Sequence, residues 1–225
     1  MIPMFRKYEK TFRIGIPQFQ GVKGKFYLCK KEIKALLAGE VTIEEKMDGA
    51  NTGIIRHKTG FHLQKRGSLV GRSEHAQFDF FYNWAYNQKY DNIMSIPKGI
   101  IVYGELMFAC HHIFYDQLPD YFLVFDIFNA KTGKWMKTSQ KIDFCERYGF
   151  SHVPVLNQGV FTLEELYDMI PKESKFGQRA EGIQVKRYTK KDYIRGKIVW
   201  PNFMKEIDES EHWKKQPVRM NILKG

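Results

Sequence analysis

The chain has 225 residues, 43% of them apolar and 15% aromatic, enough to bury one substantial core. Its 36 Lys and Arg outnumber 25 Asp and Glu, giving a formal charge of +11 spread along the whole length, which suits a polyanionic partner such as nucleic acid. No apolar run approaches the roughly 20 residues of a membrane-spanning helix, the N-terminus lacks a secretory h-region, and Cys29, Cys110 and Cys145 show no CxxC spacing. These features predict an intracellular, cytoplasmic protein with reduced, half-buried thiols, no disulfide framework and no membrane association.

In chain order, residues 29–38 (CKKEIKALLA) predict a short helix with Ile33, Leu36 and Leu37 on one side and Gly39 ending it. VTIEEKMDG then reads as a strand running into a turn. Residues 51–67 read as a hairpin around Lys58-Thr59-Gly60. Aromatics at helical spacing over 74–90 predict a helix face in the core. Apolar strands follow at 99–108, 121–129 and 180–188. Between the last two lie a helix at 138–148, with Thr138 or Ser139 as N-cap, and another at 162–170 carrying the capping pattern Thr162 to Glu165. A final strand, DYIRGKIVW, precedes a charged end expected to be helical in part. With no repeat or Pro/Gly-rich linker, this order predicts an α+β fold with antiparallel sheets flanked by helices.

The stretch EEKMDGANTG, residues 44–53, carries the first chemical signal. A free lysine has a pKa of about 10.4, so Lys46 can act as a nucleophile only where burial or neighbouring cations disfavour its charged form. On a strand Glu45 points to the opposite face, and Glu44 shares the side of Lys46. Gly49 would let the backbone approach a ligand, and Asn51 could donate to a phosphate or sugar oxygen. Alone, these few residues also fit a surface turn. Downstream, however, Glu105 (in YGELMF), Phe125 and Asp126 (in FDI), Glu181 and Lys186 (in AEGIQVK), and Arg195 and Lys197 (in RGKIV) each interrupt an apolar strand. Buried charges are costly unless paired, so these strands should share a polar cleft suited to a triphosphate, a ribose and a divalent metal.

The ordered set EKMDGAN (45–51), QKRG (64–67), YGELMF (103–108), FLVFDIF (122–128), AEGIQVK (180–186) and RGKIV (195–199) resembles the motifs of the covalent nucleotidyltransferases, specifically ATP-dependent RNA ligases of the RNA ligase 2 type. The resemblance covers about residues 40–205. It implies a nucleotidyltransferase fold, an ATP-grasp-like ligase adenylation domain, over 1–205, followed by a short basic extension (206–225) without an OB domain. It further implies that Lys46 attacks the α-phosphate of ATP, that AMP then passes to a 5′-phosphate, and that a 3′-hydroxyl seals the strand. By the same resemblance Glu105 binds the ribose, Phe125 stacks on adenine and Lys197 contacts the α-phosphate while keeping Lys46 unprotonated by repulsion. Glu181 and Asp48 serve a Mg²⁺ or Mn²⁺ ion, with Asp48 also placed toward the sugar. Lys65 and Arg66 grip phosphate, and Glu45, Asn51, Asp126, Lys186 and Arg195 complete the nucleotide site.

Arg195 stands where the commoner pattern has lysine, keeping the charge but changing its reach. RNA is the expected partner. A minimal DNA ligase, a non-catalytic nucleic-acid-binding module of the same fold, and an adenylyltransferase acting on protein or a small molecule are the alternatives. Cys110, His111 and His112 lack metal-ligand spacing, and His111 is expected to order a loop beside the nucleotide or to touch nucleic acid. The end HWKKQPVRMNILKG is expected to be a phosphate-binding tail.

Overall fold

The computed structural model describes residues 5–16, 26–189, 193–203 and 218–225. Two sheets organise them. The smaller is built from β1 (Val41–Lys46), β9 (Val155–Gly159), β10 (Gly182–Tyr188) and β11 (Tyr193–Val199), in the order β11-β10-β1-β9. The larger runs β4 (Ser68–Leu69), β3 (Phe61–Lys65), β2 (Ala50–Arg56), β5 (Ile100–Leu106), β6 (Phe122–Asn129) and β7 (Lys134–Trp135). Neighbours are antiparallel throughout, except that β8 (Ser151–His152) lies parallel to β6. The fold is thus α+β with antiparallel sheets.

Alternation along the strands explains the layering. Val41 and Ile43 of β1 enter a core with Leu36 of α1 (Lys30–Leu37) and Leu166 of α5 (Leu163–Asp168), whereas Thr42, Glu44 and Lys46 face the other way. On the larger sheet Ile54, Val102 and Phe122 pack beneath α2 (Ala76–Asn83), α3 (Tyr90–Ser95) and α4 (Thr138–Tyr148). The opposite face, with Tyr103, Leu123 and Phe125, meets Met47 and Val199 from the smaller sheet. The aromatic stripe divides: Phe78, Phe81 and Trp84 are buried, while Tyr82 and Tyr86 stack outside at 4.4 Å. A π-helical turn, Trp84–Gln88, closed by the Lys89 N–H to Trp84 C=O bond of 3.0 Å, joins α2 to α3.

Some expectations are corrected. The N-cap of α4 is Lys137, whose N–H donates to Gln140 at 2.9 Å; Thr138 is already helical, and its hydroxyl is buried against that of Thr42 at 3.2 Å. The two-residue strands and polar β9 leave no pattern in the sequence because they are too short or too exposed to alternate. The thiols are not uniformly half-buried, since Cys29 is exposed and Cys145 buried. The expected helix of the charged end falls on 204–217, outside the described residues; residues 218–225 return to the core as a strap along the loop that follows β5. No helix among the described residues is long and apolar enough to cross a membrane.

At the seam between the sheets lies a buried charge cluster. Glu44 of β1 is bonded to Lys141 of α4 at 2.6 Å and to Lys186 of β10 at 2.7 Å; Lys186 also reaches Asp126 of β6 at 2.9 Å. All four side chains are at most 1% exposed. Removing one member leaves its partners buried and unpaired, so Glu44→Ala should cost about 3–5 kcal/mol in urea unfolding. A loss below about 1 kcal/mol would show that the cluster does not hold the seam.

Candidate active site

Lys46 ends β1, and the next three residues carry the chain into β2 of the larger sheet. The motif is therefore the crossing between sheets, and the cleft opens beside it. Lys46 lies opposite Gly182, which brings Glu181 alongside: the ammonium donates to its carboxylate at 2.7 Å and to the Met47 carbonyl at 3.2 Å. Lys197 joins from β11, opposite Gln184, and Asn51 stands opposite Glu105 on the larger sheet. Lys46, Asn51, Arg66, Glu105 and Lys197 line both parts of the cleft. The inner part, about 540 Å³, adds Tyr8, Met47, Phe125 and Val153; the outer, about 1060 Å³, adds Lys65, Gly67, Ser68 and His111.

A β-bulge places Phe125. Tyr103 pairs with Asp126 and Gly104 with Val124, so Phe125 is the extra residue, and both it and Asp126 face the smaller sheet. Phe125 lines the inner cleft, whereas Asp126 lies behind it, accepting from Lys186, Tyr8 and both contacts of Tyr193 (2.8 and 2.7 Å). At the inner end the Phe125 ring, with Tyr8, Met47 and Val153 and with Thr11, Glu45 and Gln184 as polar neighbours, suits a base, and the cationic outer end suits phosphate.

Several predicted residues sit elsewhere than expected. Asp126 and Lys186 do not line the cleft but hold its floor from below. Arg195 lies with its guanidinium 4.4 Å over the Tyr8 ring and donates to Thr11 and the Glu9 carbonyl, bracing the N-terminal segment. One Asp48 carboxylate oxygen accepts the His112 and Ile113 N–H groups at 2.8 and 2.9 Å, and the carboxylate stays near enough to Lys46 to help stabilise its ammonium. Glu45 does point to the opposite face, where its carboxylate accepts the Lys175 N–H at 3.1 Å. Glu44 shares the side of Lys46 but is taken by Lys141 and Lys186. Lys65 is paired with Glu74 at the outer cleft. Gly49 lines the outer cleft and also lets a neighbouring strand approach, since a Cβ there would lie 2.6 Å from the Leu106 carbonyl oxygen.

The electrostatics correct one further expectation. Burial pulls the pKa of Lys46 down, but Glu181, Glu105 and Asp48 outweigh it and leave the ammonium stabilised. Lys197 bears the repulsion instead: burial first, then the charge of Lys46, bring it down to about 8. Burial raises Glu181 to about 7 against the opposing pull of Lys46, and raises Glu105 as well. The buried Oδ1 of Asn51 has no partner among the described residues, as a group kept for a ligand would.

Glu105 lines both parts of the cleft and Glu181 lies behind its lining, paired with Lys46; these are the two carboxylates a hard divalent cation would use. Such ions bind through one or two carboxylates plus substrate phosphates, and no group of three or more His, Cys, Asp or Glu able to hold a metal occurs among the described residues. Cys110 donates to the Ile113 carbonyl, and His111 contacts Gln77 at 3.4 Å beside the outer cleft. Sequence reading passed over Tyr8, Gln184 and Val153, which have no charge pattern to single them out.

Residues 39–199 match the RNA ligase family. The chain belongs to that family. Among solved structures it is similar to the Naegleria gruberi RNA ligase: an apo variant superposes with a TM-score of 0.67 at 14% identity, a variant with ATP and Mn at 0.66 and 14%, and another with AMP and Mn at 0.65 and 16%. Each match covers 92% of this chain and 59% of the other. No curated protein matches. As an RNA ligase fold, the chain therefore spans about three-fifths of the length of these neighbours.

Lys197 is charged below its pKa of about 8 and loses that charge above it. Affinity for inorganic triphosphate should therefore weaken about fivefold between pH 7 and pH 9, and Lys197→Arg should flatten the profile. Calorimetric titration at each pH measures this; an equally steep profile in the arginine variant would exclude Lys197 as the titrating group.

Proposed function

We propose that this chain is an ATP-dependent RNA ligase that self-adenylylates on Lys46. The observation that carries the reading is a single lysine at the crossing between two sheets, 2.7 Å from a buried carboxylate and flanked by a second cation. Membership of the RNA ligase family supports it, and the neighbours solved with ATP or AMP and Mn have the same fold.

In this reading adenine enters the inner cleft against Phe125, and Glu105 accepts from the ribose. The triphosphate extends past Asn51, Arg66 and Lys197, which align the α-phosphate for in-line attack by the Lys46 amine with pyrophosphate leaving. Before attack Lys46 must leave Glu181 and release its proton to solvent water. A Mg²⁺ or Mn²⁺ ion held by Glu181 supplies positive charge that disfavours the ammonium form and neutralises phosphate oxygens. AMP on Lys46 is next transferred to the 5′-phosphate of an RNA strand. A 3′-hydroxyl then displaces AMP to form the phosphodiester.

Incubation with α-labelled ATP and Mg²⁺ should label the denatured wild type and leave Lys46→Ala unlabelled. Nicked RNA should be sealed faster than nicked DNA. Labelling of Lys46→Ala would remove this lysine from the chemistry, faster sealing of DNA would favour a minimal DNA ligase, and label without any strand joining would favour another AMP acceptor.

A further inference from the structure

The end of the chain bears on the reaction through a route that none of the nucleotide-site motifs contains. Asn221 is 1% exposed and every polar group it has is used. Its side-chain oxygen accepts the Tyr115 N–H at 2.9 Å, and its amide nitrogen donates to the carbonyls of Met107 and Ala109 at 2.7 and 3.4 Å. Its backbone N–H donates to Phe108 at 3.0 Å, and its carbonyl accepts from the Tyr121 hydroxyl at 3.0 Å. On either side, Cys110 N–H reaches the Arg219 carbonyl at 2.7 Å and Lys224 N–H the Leu118 carbonyl at 2.8 Å. The strap thus fixes both ends of the loop between β5 and β6.

That loop in turn holds the catalytic turn. The Asp48 N–H donates to the Tyr115 hydroxyl at 3.0 Å, and the Asp48 carboxylate accepts from His112 and Ile113. Tyr115, fully buried, is the link: its N–H is bound by Asn221 and its hydroxyl by the residue two places after Lys46. Buried groups that are wholly satisfied have one arrangement, so the placement of Lys46 at the cleft depends on a residue 175 positions later in the chain. We infer that Asn221 is a positioning residue for adenylylation, acting through Tyr115 and Asp48 to aim Lys46.

The inference rests on the proposed ligase reading and is tested on the full chain. The inner cleft, where adenine would lie, is lined by none of these groups. Asn221→Ala should therefore lower kcat for self-adenylylation by about tenfold or more while leaving the Kd for ATP within about twofold. Tyr115→Phe keeps the strap and removes only the hydroxyl, and should reproduce the kcat defect even if Asn221→Ala does not fold. Hydrogen exchange at the amides of Asp48, His112 and Ile113 should quicken in Asn221→Ala, a readout that needs no catalysis. A wild type that never labels would defeat the ligase reading alone, with exchange still deciding the coupling. Wild-type kcat in Tyr115→Phe, or unchanged exchange in Asn221→Ala, would overturn the inference.

Discussion

Two sheets can share a polar cleft only if the charges trapped where they meet neutralise one another, and the rest of this structure depends on that neutralisation. Glu44, Lys141, Lys186 and Asp126 come from both sheets and from α4, and each oxygen-to-nitrogen contact crosses from one element to another. Burial pushes Lys141 down against the pull of Glu44, while Asp126 and Glu44 together more than offset burial at Lys186. Tyr8 and Tyr193 close the remaining valences of Asp126. The cluster fixes the floor on which Phe125 sits and the spacing between β1 and β6.

Two residues along β1 the same kind of ion pair faces the cleft. Lys46 has one strong carboxylate partner where Lys186 has two, and it faces the cleft. Its side chain is 21% exposed, against none for Lys186. Residues 44 and 46, on one face of one strand, therefore divide a structural role from a chemical one. The acids flanking Lys46 act in different places: Glu44 in the seam, Glu45 on the far face, Asp48 as the anchor of the loop after β5.

Much of this was legible in the sequence because period-two and period-3.6 patterns survive wherever one face is buried. The hairpin at 51–67 showed through its Lys58-Thr59-Gly60 turn, β5, β6 and β10 through apolar runs, and the α5 cap through the spacing of Thr162 and Glu165. Charged residues inside apolar strands pointed correctly to a shared cleft. What they could not reveal was which side of the wall each charge occupies. Asp126 and Lys186 read like cleft residues yet lie beneath its floor, because a bulge at Phe125 changes the facing of consecutive residues without any marker in FDI. Nothing in the sequence singles out Lys141, because a lysine in a helix is ordinarily exposed. Tyr8 and Asn221 lie in segments without regular structure, and only the folded chain brings them to Asp126 and to the loop.

Glu181 holds Lys46 as an ammonium ion at the mouth of the cleft. An NMR titration of isotopically labelled lysine side chains, with Lys46 assigned by its loss in Lys46→Arg, tests this most directly. The account predicts that Lys46 stays charged beyond the ordinary lysine value of 10.5 and that Glu181→Gln brings its titration down. Titration of Lys46 near neutral pH in the wild type, or no movement in Glu181→Gln, would contradict it.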